Sequence, residues 1–220
     1  MRFFVGLHQP ACAGKLPAGQ GAFISVNRLR KRKSGFAVGD WIMDSGAFTI
    51  LDTHGHYPES PEAYAAEIRR WANNGNLLAA VSQDYMCEPS MLGKTGMSIA
   101  EHQRLTIERY DAIKAAGTGG VYLLPVLQGF APAEYVSHLG QYRHRLGAGA
   151  WVGVGSVCKR NADPQSVVDV LLAIKAVRPD LRLHGFGVKL TALADLEVRE
   201  LLETADSMAW SFTPRTEKAQ

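Results

Sequence analysis

Residues 41–48 read WIMDSGAF: three apolar residues, then Asp44-Ser45-Gly46, then Ala47-Phe48. An apolar run that ends on a carboxylate and a glycine has the form of a buried strand emptying into a loop. The construction recurs along the chain. Further apolar runs stand at FFVGL (3–7), LLAAV (77–81), VYLLPVL (121–127), WVGVG (151–155), LRLHGFGV (181–188) and SMAWSF (207–212). From WIM onward, the intervals between runs leave room for a crossover helix each time.

Those intervals carry helix punctuation. Ser60-Pro61 opens a helix with Tyr64, Ile68 and Trp71 on one face and Gly75 beyond it. Ser98 and Glu101 form a capping box for the next, which the pattern ends near Gly117. Tyr135, Leu139, Tyr142 and Leu146 repeat at helical spacing. Asp163-Pro164 opens a fourth, with Val167, Leu171 and Ile174 inward and Pro179 past its end, and a fifth covers about Ala192 to Glu203. Strands separated by single helices make a parallel sheet covered by helices. The seven runs predict an α/β fold, a compact or incomplete (β/α)8 TIM barrel. Residues 1–220 form one domain on this reading, small beside the usual ~250 residues. No G-x-G-x-x-G follows the first run, which weighs against a dinucleotide-binding sheet. Residues from about Pro10 to Asp40 fit no strand–helix unit and read as an inserted basic loop.

A composition of 46% hydrophobic and 20% charged residues is that of a globular protein. No apolar run approaches the roughly 18 residues of a membrane span. The N-terminal MRFFVGLHQPAC lacks the form of a secretory signal, so the cytoplasm is the expected setting. Cys12, Cys87 and Cys158 make no CxxC pair, hence no disulfide framework or zinc knuckle. His54 and His56 form the one close histidine pair, in a Gly-containing turn, and neither a metal nor a cofactor is expected. Net charge is +3, but Arg28, Arg30, Lys31, Arg32 and Lys33 are crowded together. Such a run is either a solvated loop or a contact for nucleic-acid phosphates, and alone it leaves both open.

In barrel enzymes the chemistry sits at the C-terminal ends of the strands. Those ends carry Asp44, Asp84, Gln128-Gly129, Gly155-Ser156 and Lys189, and Asp206 stands just before the last run. Each acid alone has a structural explanation as a helix cap, a turn residue or a strand flank. Gathered at one mouth, they point to acid–base or nucleophilic work, or to a divalent metal.

Four motifs go further. DSGAF (44–48), PVLQG (125–129), WVGVGSV (151–157) and DSMAWSFTPR (206–215) resemble, in order, motifs of the guanine transglycosylases. In that family they read approximately DSGGF, VQG, GGLAVG and an Asp-containing segment ending in Pro-Thr-Arg. WIMDSGAF, VSQDYMCEP (81–89), WVGVGSVCKRN (151–161) and ADSMAWSF (205–212) are closer still to the compact phage-type DpdA branch, which places 7-deazaguanines in DNA.

The resemblance implies a role for each residue. Asp206 matches the nucleophile that attacks C1′, and Asp44 the second acid that moves protons on and off the bases. Asp84 matches the acceptor for guanine N1–H and the 2-amino group. Ser45, Gln128, Gly129, Gly153, Gly155 and Ser156 match the surroundings of O6 and the 7-substituent, with the choice between Gly153 and Gly155 open. Tyr85, Met86 and Phe130 are candidates to sandwich the base, with core packing the alternative. The implied partners are DNA, with its target guanine flipped out or single-stranded, and a free 7-deazaguanine of the preQ0 type. A homodimer is also compatible with the resemblance, in the cytoplasm of a bacterial host or phage-infected cell.

The tRNA-acting members carry a C-terminal cysteine–histidine zinc motif with no counterpart in this sequence, so DNA is the expected polymer. The Arg28–Lys33 run, with Lys159 and Arg160, would then meet its phosphates. Three alternatives stand beside this reading: a zinc-less tRNA-guanine transglycosylase, a non-catalytic nucleic-acid-binding barrel subunit, and a metal-dependent lyase using Asp44, Asp84 and His184.

Overall fold

The computed structural model describes residues 1–157 and 163–208. Its strands are β1 (Arg2–Gly6), β2 (Gly21–Ser25), β3 (Asp40–Asp44), β4 (Asn76–Val81), β5 (Tyr122–Leu124), β6 (Val126–Leu127), β7 (Trp151–Val154), β8 (Arg182–Gly185) and β9 (Thr204–Ser207). They pair in parallel in the order β5-β4-β3-β2-β1-β9-β8-β7-β6. The order starts and finishes on β5 and β6, the two pieces of the VYLLPVL run, so the sheet closes on itself. It is a (β/α) barrel with all eight strand positions filled and one strand broken.

Pro125 makes the break, because it lacks an N–H and cannot continue the ladder. The β6 backbone is repaired from outside. Tyr142 Oη donates to the Val126 carbonyl at 2.9 Å and accepts from the Val126 N–H at 3.3 Å.

The segment expected to be an inserted basic loop between Pro10 and Asp40 contains β2, which pairs with β1 and β3. This is why the barrel reaches its full count. The link from β1 to β2 is a short 3-10 turn, Pro10–Lys15, and the link onward begins with another, Val26–Arg28. Neither carries the 3.6-residue periodicity that marks a crossover helix.

Helices cover the remaining strands: α1 (Ala47–His54), α2 (Pro61–Trp71), α3 (Pro89–Thr95), α4 (Ile99–Ala116), α5 (Pro132–Tyr142), α6 (Pro164–Val177), α7 (Leu190–Leu193) and α8 (Leu196–Leu201). Ser60 and Asp163 cap α2 and α6, and Ser98 and Glu101 close a full capping box on α4. The single helix expected over 192–203 is divided into α7 and α8. Asp195 accepts from the N–H groups of Glu197 and Val198 and so starts α8 afresh.

Strand alternation sorts the core into two. Ile24, Trp41, Met43, Ala80 and Leu127 point outward and pack under helix residues such as Tyr64, Ile68, Tyr135 and Leu171. Phe4, Phe23, Ile42, Val81 and Val126 point inward and plug the lumen. Two residues farther along the same faces come Ser25, Asp44 and Gln128. A polar layer therefore sits directly on the apolar plug.

Replacing Tyr142 with Phe leaves two buried β6 backbone groups unpaired. Urea unfolding of this variant should show a loss of about 1–3 kcal/mol.

Candidate active site at the barrel mouth

The C-terminal ends of the strands enclose a cavity of about 530 Å³. Its wall includes Asp44, Asp84, Gln128, Gly155, Ser156 and Asp206 from the sequence-based set. Glu88, not foreseen, adds a fourth carboxylate.

Asp206 lies on β9 at 2% exposure. Its Oδ1 accepts from the Gly187 N–H at 3.0 Å and stands 3.3 Å from His184 Nε2. Its Oδ2 accepts no hydrogen bond among the described residues.

Asp44 ends β3, where Oδ2 accepts from the Gly46 N–H at 3.1 Å. The register sets Ser25 opposite Asp44, where its hydroxyl favours the ionised carboxylate. Burial is the main reason the Asp44 carboxyl is pushed up to about 6, and the nearby Asp206 charge adds to it. Gly46 turns the chain into α1 with a φ of +72°, and a side chain there would strike Asn27.

Asp84 lies beyond β4 on a segment held from several sides. Tyr57 Oη donates to its carbonyl at 2.8 Å, and Thr106 Oγ1 accepts from the Tyr85 N–H at 2.9 Å. Burial pushes its carboxyl up to about 7, and the charges of Asp44 and Glu88 add to this against the hydrogen bond from Gln128. Gln128 Nε2 donates to Asp84 Oδ2 while its Oε1 accepts from Ser156 Oγ at 2.8 Å. The backbone of Gln128 is fixed as well, by His138 Nδ1 at its N–H and by Gln103 Nε2 at its carbonyl, both at 2.8 Å. Ser156 sits at a φ of +57°, a strained conformation for a residue with a side chain. Its hydroxyl accepts from the Cys87 N–H at 3.1 Å.

The other expected positions fall differently. A Cβ at Gly155 would lie 2.1 Å from Gln128 Nε2, so its missing side chain makes room for the carboxamide. At Gly153 the space is taken by the Phe186 ring, 2.3 Å from where a Cβ would stand. At Gly129 it is taken by Glu134 and Tyr135, each 3.0 Å away. Neither Gly129 nor Gly153 faces the cavity, and Ser45 is buried behind its wall. Met86 does face it, whereas Tyr85 packs on Tyr57 and His102, and Phe130 is exposed.

The basic run is split. Arg28 lines the mouth, 3.2 Å from His8 Nδ1. Arg30 pairs with Glu59, and Arg32 donates to the carbonyls of Ser34 and Gly35. Lys31 and Lys33 are exposed. Lys159, Arg160 and the last motif beyond Met208 lie outside the described residues. His8, Asn27, Phe23, Phe186 and Gly187 also line the wall. In sequence each looks like an ordinary core or turn residue.

A family profile described as "DpdA: DeoxyPurine in DNA protein A" matches residues 1–219. The chain belongs to the DpdA family. No curated protein matches it. DpdA membership brings a role in DNA modification, at the level of deoxypurines in DNA. Among the described residues no helix is long and apolar enough to cross a membrane.

Two measurable consequences follow for the DpdA cavity. Asp44 and Asp84 hold protons more tightly folded than unfolded, so their ionisation costs stability as pH rises from about 4 through 6 and 7. Asp84→Asn removes one such cost. Chemical denaturation should show the variant gaining on wild type by on the order of 2 kcal/mol between pH 5 and 8. Asp206→Asn removes a charge that raises Asp44, so a carboxyl-carbon NMR titration should show the Asp44 midpoint falling from about 6.

Proposed function

We propose that this protein is a DNA-guanine transglycosylase. It exchanges guanine in DNA for a 7-deazaguanine of the preQ0 type through a covalent Asp206–sugar intermediate. The observation that carries the reading is the state of Asp206 in a DpdA-family cavity. One oxygen is anchored, the other accepts nothing among the described residues, and Asp44 and Asp84 stand on the same wall.

The reaction is two displacements. Asp206 Oδ2 bonds to C1′ as the C1′–N9 bond breaks, and the bond's electron pair leaves with guanine. Asp44, protonated at a raised pKa, gives that base its proton. The incoming 7-deazaguanine then loses its N9 proton to the Asp44 carboxylate. Its N9 bonds to C1′ and expels Asp206, so enzyme and strand end unbroken. The transition states resemble an oxocarbenium ion, which a nearby carboxylate stabilises and captures, as in retaining glycosidases. A half-buried Asp44 poised near neutrality suits both proton transfers.

Asp84 reads the base. Its carboxylate accepts from N1–H and the 2-amino group, donors that adenine lacks, so the wrong base leaves a buried carboxylate without those partners. Gln128, held by Ser156, presents its carboxamide alongside. A cavity of about 530 Å³ is of the size that encloses a small ligand. A base inside a duplex cannot reach it, so the nucleotide is flipped out or taken from single strands. Of the basic run, Arg28 at the mouth and exposed Lys31 and Lys33 are left to meet phosphates.

Nucleoside mass spectrometry after incubation with preQ0 tests the reading, with DNA and tRNA in separate reactions. The modified deoxynucleoside is expected from DNA alone; product from tRNA alone favours the zinc-less tRNA alternative. Asp206→Asn should lower exchange by on the order of 10³-fold or more, and a D206N variant as fast as wild type ends the proposal. Adduct formation at saturating DNA requires protonated Asp44. Its single-turnover rate should therefore fall about tenfold per pH unit above about 6.

A further inference from the structure

We infer that His184 is a positioning residue for Asp206, and that a hydrogen-bond chain from Trp151 through Thr204 fixes which imidazole nitrogen faces the carboxylate. The inference rests on the base-exchange reading for its kinetic meaning, but the chain itself is a matter of geometry.

Trp151, His184 and Asp206 come from three adjacent strands. The register pairs His184 with Thr204 across β8 and β9, two residues before Asp206 on the same inward face. Trp151 Nε1 lies 2.8 Å from Thr204 Oγ1, which in turn lies 2.8 Å from His184 Nδ1. His184 Nε2 reaches Asp206 Oδ1 at 3.3 Å. All but Trp151 are buried, His184 completely.

The direction of each bond can be worked out. Indole N–H is a donor only, so Thr204 Oγ1 accepts from Trp151. The hydroxyl hydrogen of Thr204 then has His184 Nδ1 as its acceptor. A lone pair at Nδ1 puts the imidazole proton on Nε2, aimed at Asp206. The opposite tautomer would set the Nε2 lone pair against a carboxylate oxygen and leave the Thr204 hydrogen without this acceptor.

The ring cannot swing away. Phe23 stacks on it at 5.7 Å and 17°, and Phe186 and Trp151 meet it edge-on at 4.7 and 6.1 Å. His184 and the Gly187 N–H thus both bind Oδ1, which leaves Oδ2 as the oxygen presented to C1′. When the incoming base expels Asp206, the same two donors receive the returning negative charge. His184 does not line the cavity, so it acts through Asp206 and not on substrate.

The chain is read directly by long-range proton–nitrogen correlation on the full-length protein carrying ¹⁵N-histidine. The expected spectrum shows His184 protonated at Nε2 and bare at Nδ1, with Thr204→Val disturbing that pattern; a protonated Nδ1 in wild type overturns the assignment. For positioning, His184→Leu should slow adduct formation about 10²-fold while KM for DNA stays near wild type. His184→Gln, which returns an N–H near the Nε2 position, should recover much of the rate. An adduct rate in His184→Leu equal to wild type overturns the positioning role, as does failure of His184→Gln to exceed His184→Leu. If wild type forms no adduct with any DNA, the base-exchange reading fails and positioning with it. The nitrogen spectrum needs no substrate and still decides the hydrogen-bond chain.

Discussion

Four carboxyl groups share one cavity whose floor is a plug of aromatic and aliphatic side chains. Charge is costly there for Asp44 and Asp84, where burial disfavours ionisation and a neighbouring carboxylate adds to it. The strand alternation that fills the lumen with Phe4, Phe23 and Ile42 also sets Asp44 and Asp206 above them, so the acids rest on the layer that stabilises the barrel. The cost is local. It is offset by the much larger outward-facing core, where Trp41, Tyr64, Tyr135 and Tyr142 are fully buried.

Each acid meets the crowding differently. Asp44 and Asp84 take it as a tendency to hold protons. Asp206 has one oxygen pinned by a backbone N–H and an imidazole. Residues of one chemical type are therefore held in the cavity in different ways. The division of labour in the proposed reaction draws on that difference.

What the sequence disclosed follows the range of the interactions concerned. Helices opened by Ser60, Ser98 and Asp163 were legible because a cap is settled within a few residues. The convergence of Asp44, Asp84, Gln128 and Asp206 was legible because a parallel barrel sends every strand end to one mouth. β2 was not, because its flanking links are 3-10 turns without helical period, and the break at Pro125 was hidden within one apolar run. The glycines were the least readable. Gly153 and Gly129 make room for Phe186 and Tyr135, and nothing local says which distant ring fills a missing side chain. His184 was visible as a polar residue in an apolar strand, but its bond to Asp206 spans the β8–β9 pairing. The basic run looked uniform in sequence, yet the fold commits Arg30 to Glu59 and Arg32 to its own backbone.

The broken strand at Pro125 lies three residues before Gln128, so the circumference of the barrel is completed beside the carboxamide that bonds Asp84. Closing the sheet and setting Gln128 against Asp84, the pair assigned to the base in the proposed reaction, therefore depend on the same stretch of chain. If the proposed reaction holds, loosening at that joint would blur the choice between purines while most of the architecture stood intact.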